Sequence, residues 1–264
     1  VDENYTEISK KMMEELTNYL PNKKYAIRWK LDSTKYSFID FKGYEAGKKP
    51  SEISGKPRLF YDRNKPFTRK VKFFDTYKAD KEIIIPTYYV IPKSEGKIIE
   101  NLKRNQIKFK ELQSDSLITV ESYKIVDFKT VKNPYEGHYL HFDTQVLSEL
   151  KTKKFRKGDY LVSTKQSGVK FLLETLEPEA VDSYFNWNFF DGILGQKEYF
   201  SDYVFEDTAA ELLKTNKALK TAFELKKASD AKFAEDGAAQ LDWVYKNSEY
   251  YEGTVNQYPI YRIR

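Results

Sequence analysis

Apolar residues recur at helical spacing near the start of the chain. Ile8, Met12, Met13, Leu16, Tyr19 and Leu20 share one face over residues 5–20, and Pro21 ends the run. Residues 25–29 read as extended. Residues 41–66 hold three Pro and three Gly among basic side chains. They follow neither period, which predicts a long irregular segment lying on something already folded. Strand-like residues return at Val71, Phe73 and Phe74 and again at 83–92, where two prolines point to edge or terminal positions. Ile98, Ile99 and Leu102 mark a short amphipathic helix over 96–106, and 107–112 alternates as a strand does. Residues 86–112 thus predict a strand–helix–strand unit, parallel by the crossover rule.

From Leu117 to Val162 the pattern is β, with candidate strands at 118–120, 123–128, 138–142 and 160–162 between turn residues. Helices are predicted at 169–176, at 207–214 with Asp207 as N-cap, at 216–227 and at 230–251, before a closing strand at 258–263. The expected fold class is α+β: a mixed or antiparallel sheet with a strand–helix–strand unit, then a mainly helical C-terminal part. Three parts are expected: residues 1–70 as N-terminal helix and extended segment, 71–165 as the β-rich part, and 166–264 as the helical part.

Composition narrows the function classes. The 264 residues contain no cysteine, which excludes disulfides and thiolate metal sites. A net charge of +5 is mild for this length. The basic cluster at 151–157 reads as a solvated loop before a strand, and no nucleic-acid motif accompanies it. No apolar run approaches the roughly 20 residues of a membrane span. No leader pattern is visible, and a start at Val1 is expected of a cut or processed chain. Aromatic residues make up 16%, with 21 Tyr and 18 Phe. Such residues build cores whose hydroxyls reach polar partners, or platforms for sugars and peptides.

Candidate chemistry is sparse. The two histidines, His138 and His141, are three apart in a segment that reads as a strand, so alternation sends their rings to opposite faces. Zinc pairs prefer two apart on a strand or four apart on a helix, so a structural role is favoured over a metal role. Nucleophile-elbow and phosphate-loop motifs do not occur. Residues 174–191 are the densest stretch, with five aromatics and two Asn around Tyr184, Asn186, Trp187 and Asn188. They predict a buried loop whose Asn side chains satisfy backbone groups and whose largest apolar surface is Trp187. The competing expectation is a binding surface. Tyr184, Asn186, Trp187 and Asn188, with Tyr135 and His138, are the candidate binding or domain-contact residues; no catalytic or metal residue is assigned.

Several short motifs resemble the region that follows the catalytic domain in bacterial zinc carboxypeptidase-like proteins. They are Phe-Lys-Gly-Tyr-Glu-Ala-Gly from Phe41, Gly-Lys-Pro-Arg-Leu-Phe-Tyr-Asp-Arg from Gly55, Pro-Tyr-Glu-Gly-His-Tyr from Pro134 and Phe-Arg-Lys-Gly-Asp-Tyr from Phe155. Leu176-Glu177-Pro178, Asn-Trp-Asn-Phe-Phe-Asp from Asn186 and Tyr-Pro-Ile-Tyr-Arg from Tyr258 complete the series. The family's zinc site needs His-x-x-Glu, which neither His138 nor His141 begins. The resemblance therefore implies a non-catalytic C-terminal domain, periplasmic or secreted. Its partner would be the parent's own peptidase domain, which would carry the zinc. An aromatic module for peptide or glycan is the alternative; no nucleic acid is expected as partner, and no cofactor in this chain.

Overall fold

The computed structural model describes residues 4–251 and 253–264. The chain forms two compact units: Lys24–Ile84, and the segment ending at Lys23 together with Ile85–Arg264. This division differs from the boundaries at 70 and 165 expected from the sequence, because one antiparallel pairing brings both ends of the smaller unit together.

The larger unit begins with α1 (Tyr5–Leu16). In the smaller unit, β1 (Lys24–Leu31) pairs antiparallel with β4 (Tyr77–Ile84), and Asp80 takes ion pairs from Arg28 and Lys30 across that pair. Between them run β2 (Ser37–Pro50) and β3 (Pro57–Phe73), a long two-stranded ribbon. The irregular segment expected at 41–66 is therefore wrong. Period-2 alternation was hidden because glycines occupy positions opposite aromatic residues. Gly43 faces Phe67 and Gly47 faces Phe60, and a Cβ at either glycine would come within 2.8 Å of the opposing ring. The strand partners share an unbroken β2, while Arg63, Asn64 and Lys65 bulge out of β3.

The larger unit carries β5 (Tyr88–Ile91), α2 (Gly96–Arg104), β6 (Lys110–Glu111), β7 (Ser116–Thr130), β8 (His141–Phe155), β9 (Tyr160–Ser163) and α3 (Val169–Leu176). It ends with α4 (Asp202–Thr215), α5 (Lys217–Ser229), α6 (Ala231–Glu235), α7 (Gly237–Lys246) and β10 (Tyr261–Ile263). Seven α-helices among the described residues, with antiparallel sheets, make the fold α+β, as expected. The main sheet has the order β6-β9-β5-β10-β7-β8. Both β5 and β6 pair antiparallel with β9, so they run parallel to each other with β9 between them. The strand–helix–strand unit thus exists, split by a later strand.

Helices α2 and α3 bury the faces read from the sequence: Ile98, Ile99 and Leu102, then Val169, Leu172, Leu173 and Leu176. Val90, Val120, Phe155 and Tyr261 form a cluster within the sheet. The helical part has its own core of Phe205, Ala209, Leu219, Phe223, Phe233, Val244 and Tyr245. Its last three helices start at side-chain caps, from Asn216 to Leu219 N, Asp230 to Phe233 N and Asp236 to Ala239 N. Asp236 thereby splits the single helix expected at 230–251 into α6 and α7. Asp207 lies inside α4 and is no cap. Among the described residues no helix is long and apolar enough to cross a membrane.

Strands β7 and β8 are longer than the sequence suggested. The cluster at 151–157, expected as a loop, is strand as far as Phe155. The turn that follows places Gly158 at φ 90°, while buried Asp159 accepts from Lys93 N at 2.9 Å and Arg156 N at 2.8 Å. Asp115 closes the open end of the β7–β8 pair by accepting from Lys157 N at 3.0 Å and Arg156 Nη1 at 2.9 Å. The Lys157 amide bond, followed by the Arg156 and Lys154 side chains, lowers its pKa to about 2.

Two outcomes follow. A carboxyl depressed on folding adds stability above its unfolded pKa and loses it as pH falls through the folded value. Asp115 should therefore titrate near pH 2 by carboxyl NMR. The slope of stability against pH between its ordinary 3.8 and about 2 should flatten in Asp115→Asn. In denaturant unfolding, Leu173→Ala at a fully buried site should cost about 2–5 kcal/mol. Leu150→Ala on the exposed face of β8 should stay within about 0.5 kcal/mol of the parent.

Candidate functional site

The loop between β7 and β8 is itself a small hairpin. Tyr135 and His138 exchange both backbone hydrogen bonds at 2.9 Å. Glu136 and Gly137 between them have φ of 49° and 83°, the left-handed pair that a tight two-residue turn demands. The strand expected at 138–142 therefore starts only at His141. The turn delivers the His138 and Tyr135 rings to Trp187, at centroid distances of 5.5 and 6.3 Å. Trp187 Nε1 points to Asp182 Oδ1 at 3.5 Å.

Residues 183–191 fold under this cluster. Asn186 is buried and donates to Ala180 O at 2.8 Å and Val181 O at 3.2 Å, while accepting from Thr144 Oγ1 at 2.8 Å. Its backbone carbonyl accepts from His141 N. Tyr184, Phe185 and Phe190 are buried too, whereas Trp187 and Asn188 remain half-exposed. The six candidates thus separate. Tyr135, His138 and Trp187 meet at the surface, with Asn188 beside them as donor to Tyr139 O at 2.9 Å. Tyr184 and Asn186 lie inside and cannot present a binding face. The segment is the buried loop expected, but its core is Phe185 and Asn186, with Trp187 at the rim.

His141 has the richer environment. Its ring lies between Phe128 and Phe185, with Nδ1 at 2.9 Å from Thr130 Oγ1 and Nε2 at 3.1 Å from Asp191 Oδ1. Nε2 also lies 3.2 Å from Asn188 Nδ2, so Asp191 and Asn188 meet at the same ring nitrogen while Thr130 meets the other. This chain ties β7, β8 and residues 186–191 together. Among the described residues no three His, Cys, Asp or Glu side chains converge as a metal-holding group.

A second polar constellation was not singled out from the sequence. Arg262, on β10, reaches Glu121 of β7 at 2.6 Å and Glu177, just after α3, at 3.1 Å. Its guanidinium also donates to the Tyr123 hydroxyl, and Arg264 pairs with Glu121. Tyr89 of β5 donates to Glu177 at 2.5 Å, and Ser148 to Glu121 at 2.6 Å. Burial pushes the Glu177 carboxyl above the ordinary range, against the pull of Arg262 and Tyr89. Burial also acts upward on Glu121, but the Ser148 hydroxyl, Arg262 and Arg264 outweigh it and hold the carboxyl low. Glu177 and Arg262 are 1% and 2% exposed, so no substrate reaches them and the network is architectural. The available signal was an arginine in a closing strand whose neighbours, Tyr261 and Ile263, are apolar.

Removing Arg262 would leave buried Glu177 without its cation, while Glu121 keeps Arg264. Arg262→Met should cost about 3–5 kcal/mol in chemical unfolding. Around Trp187, Phe185→Ala should cost about 3–5 kcal/mol and Trp187→Ala clearly less. Equal losses for the two would place the centre of the segment at the indole instead.

Comparison of the chain with protein families, curated proteins and solved structures returns no match.

Proposed function

We propose that this chain is the non-catalytic C-terminal accessory domain of a zinc carboxypeptidase-like protein, packing on the peptidase domain or shaping the mouth of its cleft. The observation that carries the reading is α1. It buries no residue, and Tyr5, Ile8, Met12 and Met13 are 46–67% exposed. A helix with such a stripe has its apolar face uncovered, and helices of this length owe most of their stability to packing of that face. Intrahelical pairs such as Lys11–Glu7 at 2.8 Å support it only weakly.

The motifs that carry the resemblance support the reading in a second way, because their side chains serve the fold. Glu177 answers Arg262, Asn186 satisfies backbone carbonyls, and Asp159 holds a turn. Zinc belongs, in this reading, to the His-x-x-Glu set of the parent's peptidase domain, and no residue here is assigned to it. A periplasmic or secreted location goes with the same proposal.

A second reading, a recognition module for peptide or glycan, is favoured by the Tyr135–His138–Trp187 surface cluster. Trp187→Ala should then abolish ligand retention while the chain stays folded.

The coding sequence upstream of Val1 tests the first reading directly. It should encode His-x-x-Glu followed by a further His, and a sequence without them overturns the proposal. Ile8→Asp with Met12→Asp should leave the melting temperature of this chain unchanged and lower that of the longer protein. Equal behaviour in both would remove α1 from the interface.

A further inference from the structure

The β2–β3 ribbon has two unlike faces. On one, side chains close over one another. Phe67 lies over Gly43 beside Phe41 at 6.3 Å, and Arg69 sits over Phe67 at 4.2 Å while pairing with Glu45 at 2.5 Å. Phe60 covers Gly47, with Lys49 above it at 5.4 Å. The other face holds the even-numbered residues of β2 and their partners. Phe38 opposes Lys72, Asp40 opposes Lys70, Lys42 opposes Thr68, Tyr44 opposes Pro66, Ala46 opposes Tyr61 and Lys48 opposes Leu59. All of these are exposed, with Phe38 edge-on to Tyr36 at 5.5 Å and the Lys72 ammonium 4.3 Å from the Tyr36 ring. From Phe38 to Lys48 the row spans about 34 Å.

Charge on the chain is segregated toward this ribbon. Lys24–Ile84 contains sixteen Lys and Arg against eight Asp and Glu, although the whole chain carries only +5. The remainder is therefore net acidic. At the paired positions of the open face the cations are Lys42, Lys48, Lys70 and Lys72, with Asp40 the acidic residue among them, while Arg58 and Arg69 pair on the other face.

We infer that this open face binds an acidic polysaccharide, its lysines meeting carboxylate or sulfate groups and Phe38, Tyr44 and Tyr61 stacking on sugar rings. Charge complementarity sets the sign of the partner, and the residue types set its class. Lysine is depleted in protein interfaces, where arginine is enriched. Arginine, with its planar fork, is also the residue of choice for phosphate and nucleic acid. A face whose paired cations are all lysine, beside exposed Tyr and Phe rings, fits neither. Pro57, Pro66 and the 63–65 bulge interrupt the outer edge of β3. The inference is independent of the Trp187 cluster and of the accessory role.

Affinity electrophoresis of the intact chain tests it, with polygalacturonate in the gel as probe. The chain should be retarded, and less so as salt rises. Lys42→Glu with Lys70→Glu should abolish retardation. Phe38→Ala and Tyr44→Ala should each weaken binding roughly two- to tenfold at unchanged charge, and Trp187→Ala should not alter it. All four substituted ribbon positions are exposed, and circular dichroism checks that each variant is folded. Absence of retardation overturns the inference. So does binding that ignores the two aromatic substitutions, which would be charge attraction alone. Tighter binding to single-stranded oligonucleotide or to polyglutamate overturns it in favour of those partners.

Discussion

The larger unit depends on how Arg262 is neutralised. A guanidinium inside a sheet is tolerable only with carboxylates in contact, because the desolvation of an isolated charge exceeds what a domain's net stability can absorb. Glu121 and Glu177 supply them from β7 and from the end of α3, and Tyr89 fixes Glu177 from β5. One cation therefore fixes where the last strand enters between β5 and β7, and where α3 must stop. Such a network adds less to stability than apolar packing of the same volume would. Its value lies in register: β10 is three residues long, and a shift by one would bury Tyr261 or Ile263 against two carboxylates.

The same network explains why Leu-Glu-Pro and Tyr-Pro-Ile-Tyr-Arg stand out in the sequence although neither touches solvent chemistry. Pro178 follows Glu177 immediately, which disfavours helical geometry at Glu177 and helps end α3 there. Tyr258 then donates to Leu176 O at 2.9 Å, so the chain end is tied to α3 a second time. Buried polar residues distant in sequence look functional when read one at a time. Their partners, separated by 82 to 141 positions, become visible only in three dimensions.

Legibility followed periodicity. Helices α2 and α3 were placed within a residue or two because their apolar residues recur at three and four and their ends carry Gly or Glu-Pro. The class, α+β, was legible for the same reason. The ribbon was not, because its alternation is between Gly and Phe across strands rather than between apolar and polar along one strand. A glycine under a ring is a two-strand feature with no one-strand signature. Lys151–Phe155 failed similarly: lysines on an exposed strand face look like a loop. At the candidate site, the tight turn at Glu136-Gly137 was legible as a turn. That it would carry Tyr135 and His138 to Trp187, fifty residues on, was not.

Two features of the molecule resist explanation by folding alone: the uncovered stripe of α1 and the open face of the ribbon. Neither adds to a core, and each leaves large apolar side chains in water, from Met12 and Met13 to Phe38 and Tyr61. A two-stranded ribbon is marginal by itself, and the closed Phe67–Arg69–Glu45 face is what stabilises this one. That closed face needs its glycines, and the glycines in turn leave β2 without side chains to shield the strand from that side. The opposite face has fewer such contacts, chiefly Phe38 and Lys72 against Tyr36, and on the inference above its lysines and rings answer to a ligand. The stripe on α1 differs in kind, since it is apolar and lacks the charge pattern that would select a polar partner. A covering protein domain suits it, while a polyanion suits the ribbon, and the two surfaces belong to separate units that can each be altered without disturbing the other's fold.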